Sequence, residues 1–464
     1  MKNLLTFVAV LLLSVPVTSK TSENDVIGKS NIKLTSRMMT PEALWAMGRI
    51  GSYEASPDGQ HVVYQVGYYS VKQNKSHQVL YVMNCDSKGS NQCLLTNGSK
   101  NETDPTWLDA ETIAFISGGE IWSMKLDGTD RRQLSKTNGE VEGFKFSPDH
   151  KKVIILKSQP FHEVIKKNPD DLPKATGRRV TDLMYRHWDH YVESIQHPFV
   201  YSVGDGFAVT DNGTDILNGE PYECPMEPFG GIEQLAWSPD SKTIAYTCRK
   251  KTGLEYSIST DSDIYLYDIA TKATRNLCKS ADYVAPKVDP TITLRVQAVN
   301  APENLKNNVG YDQNPQFSPD GKYIAWLSME RDGYEADLNR LCIYEMATGE
   351  KSYVDWKSDV ESFCWGPYEG RADKEVKARS GKVMATLTSP RLYFLSVWEG
   401  CCNMYAVLHN GDIAQLTEGW HDWTSLQMAN KRNVLLATRQ SLSHPTDIYY
   451  VILRNRLTCS GFMT

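Results

Sequence analysis

Short runs of alternating polar and apolar residues cover most of the chain, and several begin directly after the phrase Ser-Pro-Asp. The phrase occurs at 56–58, 147–149, 238–240 and 318–320. Proline fixes φ at the first turn position, aspartate accepts backbone N–H groups within the turn, and glycine adopts positive φ where the chain reverses. Alternation with a period of two is typical of half-buried strands. Each phrase therefore predicts a hairpin whose second strand follows the turn.

A second kind of strand lies between these hairpins and ends in its own short turn, as at 121–126, 263–268 and 340–345. Each repeat therefore holds two hairpins, or four strands. Degenerate copies of the phrase lie at 107–109 and 363–367, and the weakest surrounds 423–438.

The residues that directly precede the phrase, or its equivalent, mark the period of the repeat. They stand at 55, 107, 146, 237, 317 and 365 and near 426. Four short strands in roughly 40 to 50 residues is the spacing of a propeller blade. The sequence predicts an all-β fold, a seven-bladed β-propeller over 38–451, with eight blades as the alternative. Residues 158–197 break the alternation and are predicted to be a partly helical insertion.

The first nineteen residues differ from the rest of the chain. Lys2 precedes an apolar run at 4–15, and small residues follow at 17–19, as in a secretory signal peptide. We expect an exported protein, periplasmic or extracellular; the alternative is a buried N-terminal helix. The run is too short to cross a bilayer comfortably, and no transmembrane span is predicted.

Composition and motifs exclude several functions. The formal net charge of -6, from 50 Lys+Arg against 56 Asp+Glu, gives no overall attraction to nucleic acid. The chain has no P-loop, no H-E-x-x-H, no dinucleotide-binding G-x-G-x-x-G and no G-x-S-x-G nucleophile motif. We therefore predict no cofactor, no metal and no catalytic residue in this chain.

One disulfide is predicted. Cys85 and Cys93 flank a turn-rich stretch that can bring two strand ends within bonding range, and export makes such a bond chemically possible. The other eight cysteines form no C-x-x-C pair.

The insertion holds the chain's most unusual local composition, with four of its ten histidines between 161 and 197. Carboxylates there lie beside aromatic residues, a combination that can hold a cation such as a peptide amino terminus. On a helix, Asp189 and Glu193 share one face. The alternatives are a metal site involving His187 and His190, and a solvated insertion whose aromatic residues pack on a blade rim.

These features resemble the prolyl oligopeptidase family of serine peptidases, in particular its dipeptidyl peptidase 5-type and acylaminoacyl-peptidase-like members. The resemblance rests on the Ser-Pro-Asp-Gly hairpins, the strand at 261–267 and the segment 178–199 around Arg186-His187-Trp188-Asp189. It spans roughly residues 38 to 451.

The resemblance implies a protein of two domains. In such proteins an N-terminal propeller filters and positions peptides, and a C-terminal α/β-hydrolase domain carries Ser, Asp and His. Nothing in this chain matches the hydrolase domain, and 452–464 reads as an atypical tail in its place.

We therefore expect the propeller part of a serine exopeptidase, inactive alone, with a peptide as substrate and a separately encoded hydrolase domain as partner. Arg186, Asp189 and Glu193 are then expected to contact the substrate's amino-terminal end, with Trp188 as a packing platform. The alternative is a stand-alone exported propeller like TolB, which binds protein or glycan without catalysis and shares the Ser-Pro-Asp-Gly repeat.

Overall fold

The structure, a computed structural model, describes most of the chain after residue 26. The predicted signal peptide at 1–19 lies outside the described residues. The described ranges are 27–36, 38–86, 88–96, 98–161, 165–166, 172–175, 179–180, 192, 194–227, 230–284, 307–366, 374–377, 383–387, 392–407, 411–429, 434–453 and 458–461.

Within these ranges the strands form seven four-stranded antiparallel sheets, called blades 1 to 7, and this confirms the predicted seven-bladed fold. A short helix, α1 (Pro41–Ala46), precedes blade 1. Blade 1 contains β1 (Arg49–Ala55), β2 (His61–Ser70), β3 (Lys75–Asn84) and β4 (Cys93–Leu94). Blade 2 contains β5 (Glu102–Trp107), β6 (Thr112–Ser117), β7 (Glu120–Lys125) and β8 (Arg132–Gln133). Blade 3 contains β9 (Gly143–Phe146) and β10 (Lys152–Pro160), then, after a separate hairpin of β11 (Ile165–Lys166) and β12 (Arg179–Val180), β13 (Ser194–Ser202) and β14 (Thr214–Asp215).

The remaining blades follow the same plan. Blade 4 contains β15 (Leu235–Trp237), β16 (Thr243–Cys248), β17 (Asp263–Asp268) and β18 (Thr274–Asn276), with helix α2 (Gly253–Ile258) between β16 and β17. Blade 5 contains β19 (Asp312–Phe317), β20 (Tyr323–Ser328), β21 (Arg340–Glu345) and β22 (Lys351–Tyr353). Blade 6 contains β23 (Val360–Trp365), a separate hairpin of β24 (Lys374–Lys377) and β25 (Val383–Leu387), then β26 (Leu392–Trp398), β27 (Cys401–Val407) and β28 (Ile413–Gln415). Blade 7 contains β29 (Asp422–Ala429), β30 (Val434–Ser441), β31 (His444–Ile452) and β32 (Thr458–Gly461). Short 3-10 turns lie at Asp205–Phe207 and Ile232–Gln234.

The Ser-Pro-Asp phrase forms the tight turn between the first and second strands of blades 1, 3, 4 and 5. In blade 4 the Ser238 hydroxyl donates to Asp240 Oδ1 at 2.6 Å, and the backbone N–H of Thr243 donates to Ser238 Oγ at 2.9 Å. The hydrogen bond from Ser238, together with that from the N–H of Lys242, lowers the pKa of Asp240 although partial burial opposes the shift. The phrase is thus a turn motif whose polar groups satisfy one another.

Apolar clusters fill every interface between adjacent blades, and tryptophan side chains reinforce three of them. The indole Nε1 atoms of Trp107, Trp237 and Trp365 each donate to a carbonyl on the first strand of the preceding blade, at 3.0, 3.0 and 2.9 Å. Trp326 is fully buried in the cluster between blades 4 and 5. The aromatic residues of the repeat are therefore inter-blade core, as the regular spacing indicates.

Blades 1 and 7 close the ring through side chains. Gln427 accepts the N–H of Ala55 at 3.3 Å and donates to the carbonyl of Tyr53 at 2.7 Å. The Tyr53 hydroxyl lies 2.8 Å from Ser425 Oγ. Each of these two blades takes all four of its described strands from one contiguous stretch of chain, so no described strand crosses the seam. Strand β32 is the outer strand of blade 7, so this sheet continues past residue 451, into the segment that the sequence marks as an atypical tail.

The antiparallel order gives the ring two distinct faces. First strands of neighbouring blades contact one another, as β1 does with β5 and β23 with β29, and the Ser-Pro-Asp turns lie on one face, called the turn face. The turns between second and third strands, and the connections between blades, lie on the opposite face. Because β10 ends and β13 begins on that side, both ends of the insertion lie there, and we call this side the insertion face.

Described residues at the two ends of the predicted insertion are extended. Strands β10 and β13 pair as far as Pro160 and Ser194, so the interruption of blade 3 is narrower than 158–197. Most of the residues between them lie outside the described part, and their helical character stays a prediction. None of the described helices is long and apolar enough to cross a membrane.

Candidate functional site

The ends of the insertion pack against helix α2 of blade 4. Phe161 precedes the insertion's hairpin, Val192 lies just before β13, and both join Ile195 and Tyr256 in one apolar cluster. Tyr256 is only 2% exposed. The insertion therefore begins and ends on a fixed support at the insertion face.

A buried polar group lies beside this support. The Arg249 guanidinium stacks on the Tyr256 ring, with Cζ 4.3 Å from the ring centroid, and its Nη1 donates to the carbonyl of Ser259 at 2.9 Å. The Tyr256 hydroxyl donates to the carboxylate of Glu223. Arg249 and Glu223 are both buried. Because buried charges are costly unless paired, these contacts hold α2 in one position.

A second buried network lies between blades 4 and 5 on the same face. The ammonium of Lys279 donates to Asp261 Oδ1 at 2.7 Å and also to Asp263, while Lys251 Nζ lies 3.1 Å from Asp261 Oδ2. Burial favours the neutral amine, but the two carboxylates outweigh it and raise the pKa of Lys279. This carboxylate pair already holds an internal ammonium, so it does not provide the anchor for a peptide amino terminus.

Asp332 ties the loops of blades 4 and 5 together above this network. Its Oδ1 accepts the N–H of Thr260 at 2.8 Å, the N–H of Asp261 at 3.2 Å and the hydroxyl of Ser259 at 2.7 Å. Charge-assisted hydrogen bonds of this kind are stronger than neutral ones. The residues that follow α2 are therefore fixed from both blades.

The predicted substrate contacts Arg186, Trp188, Asp189 and Glu193 lie outside the described residues. The structure describes only the support on which their segment begins and ends. The predicted pair Cys85 and Cys93 is described: Cys85 is buried, whereas Cys93 is exposed with its Sγ 3.6 Å from the carbonyl oxygen of Leu94. Their disulfide stays a prediction.

Sequence reasoning missed the two buried networks of blades 4 and 5. The one local signal was Asp261-Ser262-Asp263, where two carboxylates at i and i+2 precede an apolar strand. Residues two apart point to the same side of an extended chain, so a shared cationic partner was foreseeable. The identity of that partner, Lys279, was not.

A serine and a histidine do meet on blade 7. Ser443 Oγ lies 2.9 Å from His444 Nδ1, in the turn between β30 and β31. Both side chains are exposed, whereas an activated serine needs an oriented base in a water-excluded site with oxyanion donors. We interpret this contact as a turn hydrogen bond.

The described strands define a seven-bladed β-propeller, interrupted in blade 3 by the insertion. No family model matches the chain. Acylaminoacyl peptidase of Pyrococcus horikoshii shares the fold, with a TM-score of 0.53 and 13% identity over 87% of this chain and 51% of that one. The β-propeller domain of the Trilobed protease from Pyrococcus furiosus gives a TM-score of 0.50 and 13% identity over 87% of this chain and 95% of that domain.

Sequence comparison is more specific. Dipeptidyl-peptidase 5 of Porphyromonas gingivalis is 41% identical over 430 residues, which are 91% of this chain and 55% of that protein. The chain is thus the propeller portion of a dipeptidyl-peptidase-like protein, and its resemblance to the prolyl oligopeptidase family is confirmed. The chain spans about half the length of the curated relatives it matches.

Proposed function

We propose that this propeller recognises the amino-terminal end of peptides at its insertion face and presents them to a serine exopeptidase domain. The observation that carries the proposal is the 41% identity to dipeptidyl-peptidase 5 of Porphyromonas gingivalis across 91% of the chain. The rigid support of the insertion on Tyr256 and Val192 is consistent with a recognition element that must hold its shape.

The predicted contacts give this proposal its chemistry. Asp189 and Glu193 accept hydrogen bonds from the peptide's ammonium, Arg186 donates to a peptide carbonyl, and Trp188 packs on the first side chain. The buried carboxylates of Asp261 and Asp263 already bind the Lys279 ammonium, so they do not bind the peptide's amino terminus. This supports indirectly the assignment of that role to Asp189 and Glu193.

The exposed apolar side chains support a protein partner at the same face. Six of them lie in or next to the turns between second and third strands or in the connections between blades: Val71, Tyr334, Leu338, Trp398, Trp420 and Leu442. Exposed apolar patches of a soluble protein mark interaction surfaces. We propose that a hydrolase domain covers this surface.

Peptide binding tests the proposal directly. The purified chain is titrated against a fluorescent peptide with a free amino terminus and against its acetylated counterpart. We expect acetylation, and the double variant Asp189→Asn/Glu193→Gln, each to weaken binding by at least about tenfold, because charge-assisted hydrogen bonds are lost.

The matched control is Asp205→Asn/Glu350→Gln, which removes the same charge from exposed residues on the turn face. We expect it to bind like the unmodified chain. Equal affinity for the free and acetylated peptides, or an unchanged affinity of the Asp189/Glu193 variant, would contradict the proposal.

Catalysis and export are tested separately. The 464 residues contain no G-x-S-x-G motif, so we expect the polypeptide alone neither to hydrolyse dipeptidyl-coumarin substrates nor to react with a fluorophosphonate. The hydrolase part of the Porphyromonas gingivalis relative is then mixed with either the unmodified chain or a Trp398→Asp variant. We expect these substrates to be hydrolysed faster in the mixture with the unmodified chain. A reporter protein fused to residues 1–26 should be exported.

A further inference from the structure

Three side chains that can bind a metal converge where blade 4 meets blade 5. Asp263 begins β17, Cys278 follows β18, and Asp312 begins β19, so all three lie at the insertion face. One potential ligand atom from each lies within 4.8 Å of those of the other two. All three residues are buried.

Asp312 has an unsatisfied oxygen in this cluster. Its Oδ1 accepts hydrogen bonds from Trp326 Nε1 at 2.6 Å and from Asn308 Nδ2 at 2.8 Å. Its Oδ2 has no hydrogen-bond partner among the described residues, although Asp312 is 0% exposed. A buried carboxylate oxygen without a partner is costly, and native structures rarely retain one without a reason.

We propose that Asp263, Cys278 and Asp312 together bind one zinc ion that joins blade 4 to blade 5. One thiolate with two carboxylates is a donor set that Zn²⁺ accepts, whereas Mg²⁺ and Ca²⁺ favour oxygen ligands alone. Zinc bonds of about 2.0–2.3 Å place tetrahedral ligands roughly 3.3–3.5 Å apart, so ligand atoms that lie within 4.8 Å of one another approach by at most about 1.5 Å. Water completes the fourth position.

The surrounding carboxylates and the thiolate offset most of the positive charge that such an ion brings to the site. Lys279 and Lys251 are matched by Asp261 and Asp263 in the network described above. The two charges of the zinc ion are then matched by the Asp312 carboxylate and the Cys278 thiolate, and the thiol proton leaves to solvent.

Nearby groups can stabilise the thiolate in this arrangement. Cys278 Sγ already accepts the N–H of Ile264 at 3.2 Å. Lys351 Nζ lies close by, since it donates to the carbonyl of Cys278 at 2.9 Å and to Asn308 Oδ1 at 2.7 Å. The site is independent of the proposed peptide recognition. The carboxylates and the thiolate that hold Lys279 and the ion are not among the charged groups assigned to the substrate, which are Arg186, Asp189 and Glu193.

Zinc content and stability test the site in the full chain. The purified protein is stripped with a chelator, dialysed into metal-free buffer and titrated with zinc chloride, and bound zinc is measured by mass spectrometry. We expect about one zinc per chain and a higher Tm with zinc than with chelator, since a ligand that binds only the folded state stabilises it. Cobalt in place of zinc should give thiolate-to-metal charge-transfer absorption.

Variants assign the ligands. Asp312→Asn keeps an oxygen for Trp326 but loses the charge, and we expect it to bind zinc at least about tenfold more weakly, as we do for Cys278→Ser. Cys342→Ser is the matched control, because Cys342 is equally buried in the same inter-blade cluster but is not one of the three ligands. It should retain zinc.

Two results would overturn the site. One is an unmodified chain that binds no zinc, shows no cobalt–thiolate absorption and has the same Tm with zinc and with chelator. The other is that the Asp312→Asn and Cys278→Ser variants bind zinc as tightly as the unmodified chain does. The cobalt spectrum of the unmodified chain keeps the proposal falsifiable even if a variant fails to fold.

Discussion

Replacing Trp237 with phenylalanine isolates one hydrogen bond between blades. The indole of Trp237 is 7% exposed, packs between blades 3 and 4, and donates to the carbonyl of Lys145 at 3.0 Å. Phenylalanine keeps an aromatic ring in the cluster but has no donor. An unsatisfied buried carbonyl costs about 1–3 kcal/mol. The smaller ring loses on the order of 1 kcal/mol of apolar burial. We expect the free energy of unfolding to fall by roughly 3 kcal/mol in total.

Urea unfolding followed by far-ultraviolet circular dichroism measures this loss without depending on tryptophan fluorescence. Trp420→Phe is the matched control, because Trp420 is 88% exposed and should change stability by less than about 0.5 kcal/mol. Trp107→Phe and Trp365→Phe should behave like Trp237→Phe, since both indoles make the equivalent bond. If Trp237→Phe and Trp420→Phe unfold at the same urea concentration, the inter-blade bonds do not stabilise the ring as argued.

Three further predictions concern a turn, the seam and the insertion support. Because the pKa of Asp240 is lowered in the folded state, its charge contributes stability above the ordinary pKa of 3.8 that is lost as pH falls through the lower folded value. The Tm difference between the unmodified chain and Asp240→Asn should therefore shrink below pH 3.8, and a difference that stays constant with pH would refute this. Gln427→Leu removes both hydrogen bonds to blade 1, so β1 amides should exchange hydrogen faster; unchanged exchange would show that apolar packing alone closes the ring. Tyr256→Phe removes the donor to Glu223 and should raise the Kd for a free-amine peptide while circular dichroism stays unchanged; an unaltered Kd would separate this support from recognition.

The blade pattern was predictable because its determinants are local. A Ser-Pro-Asp turn is satisfied by groups within five residues, such as Ser238 and Thr243, so it can be read from a short window. Blades 2 and 6 lack the full phrase, but Trp107 and Trp365 still mark them. Those tryptophans stand at the same phase of the repeat, and their indoles donate to the neighbouring blade.

The buried networks were not predictable because their partners are set by packing between blades. Asp332 meets the N–H of Thr260 across 72 residues of sequence, in a contact that no local pattern encodes. Likewise Asp312 approaches Cys278 and Asp263 only because β19 packs beside blade 4. In the sequence, a buried carboxylate within an alternating strand cannot be distinguished from one that faces solvent.

The seam between blades 1 and 7 also sets an order of events during synthesis. Every blade is complete within its own stretch of chain, so each can assemble as it emerges and dock on the one before it. Joining Tyr53 to Gln427 requires contacts between segments 374 residues apart, the kind that carries the largest loop-closure cost. We therefore expect the chain to fold through an open, horseshoe-shaped intermediate in which all seven blades are formed. Docking of blade 7 on blade 1 would then be the last and slowest step of folding.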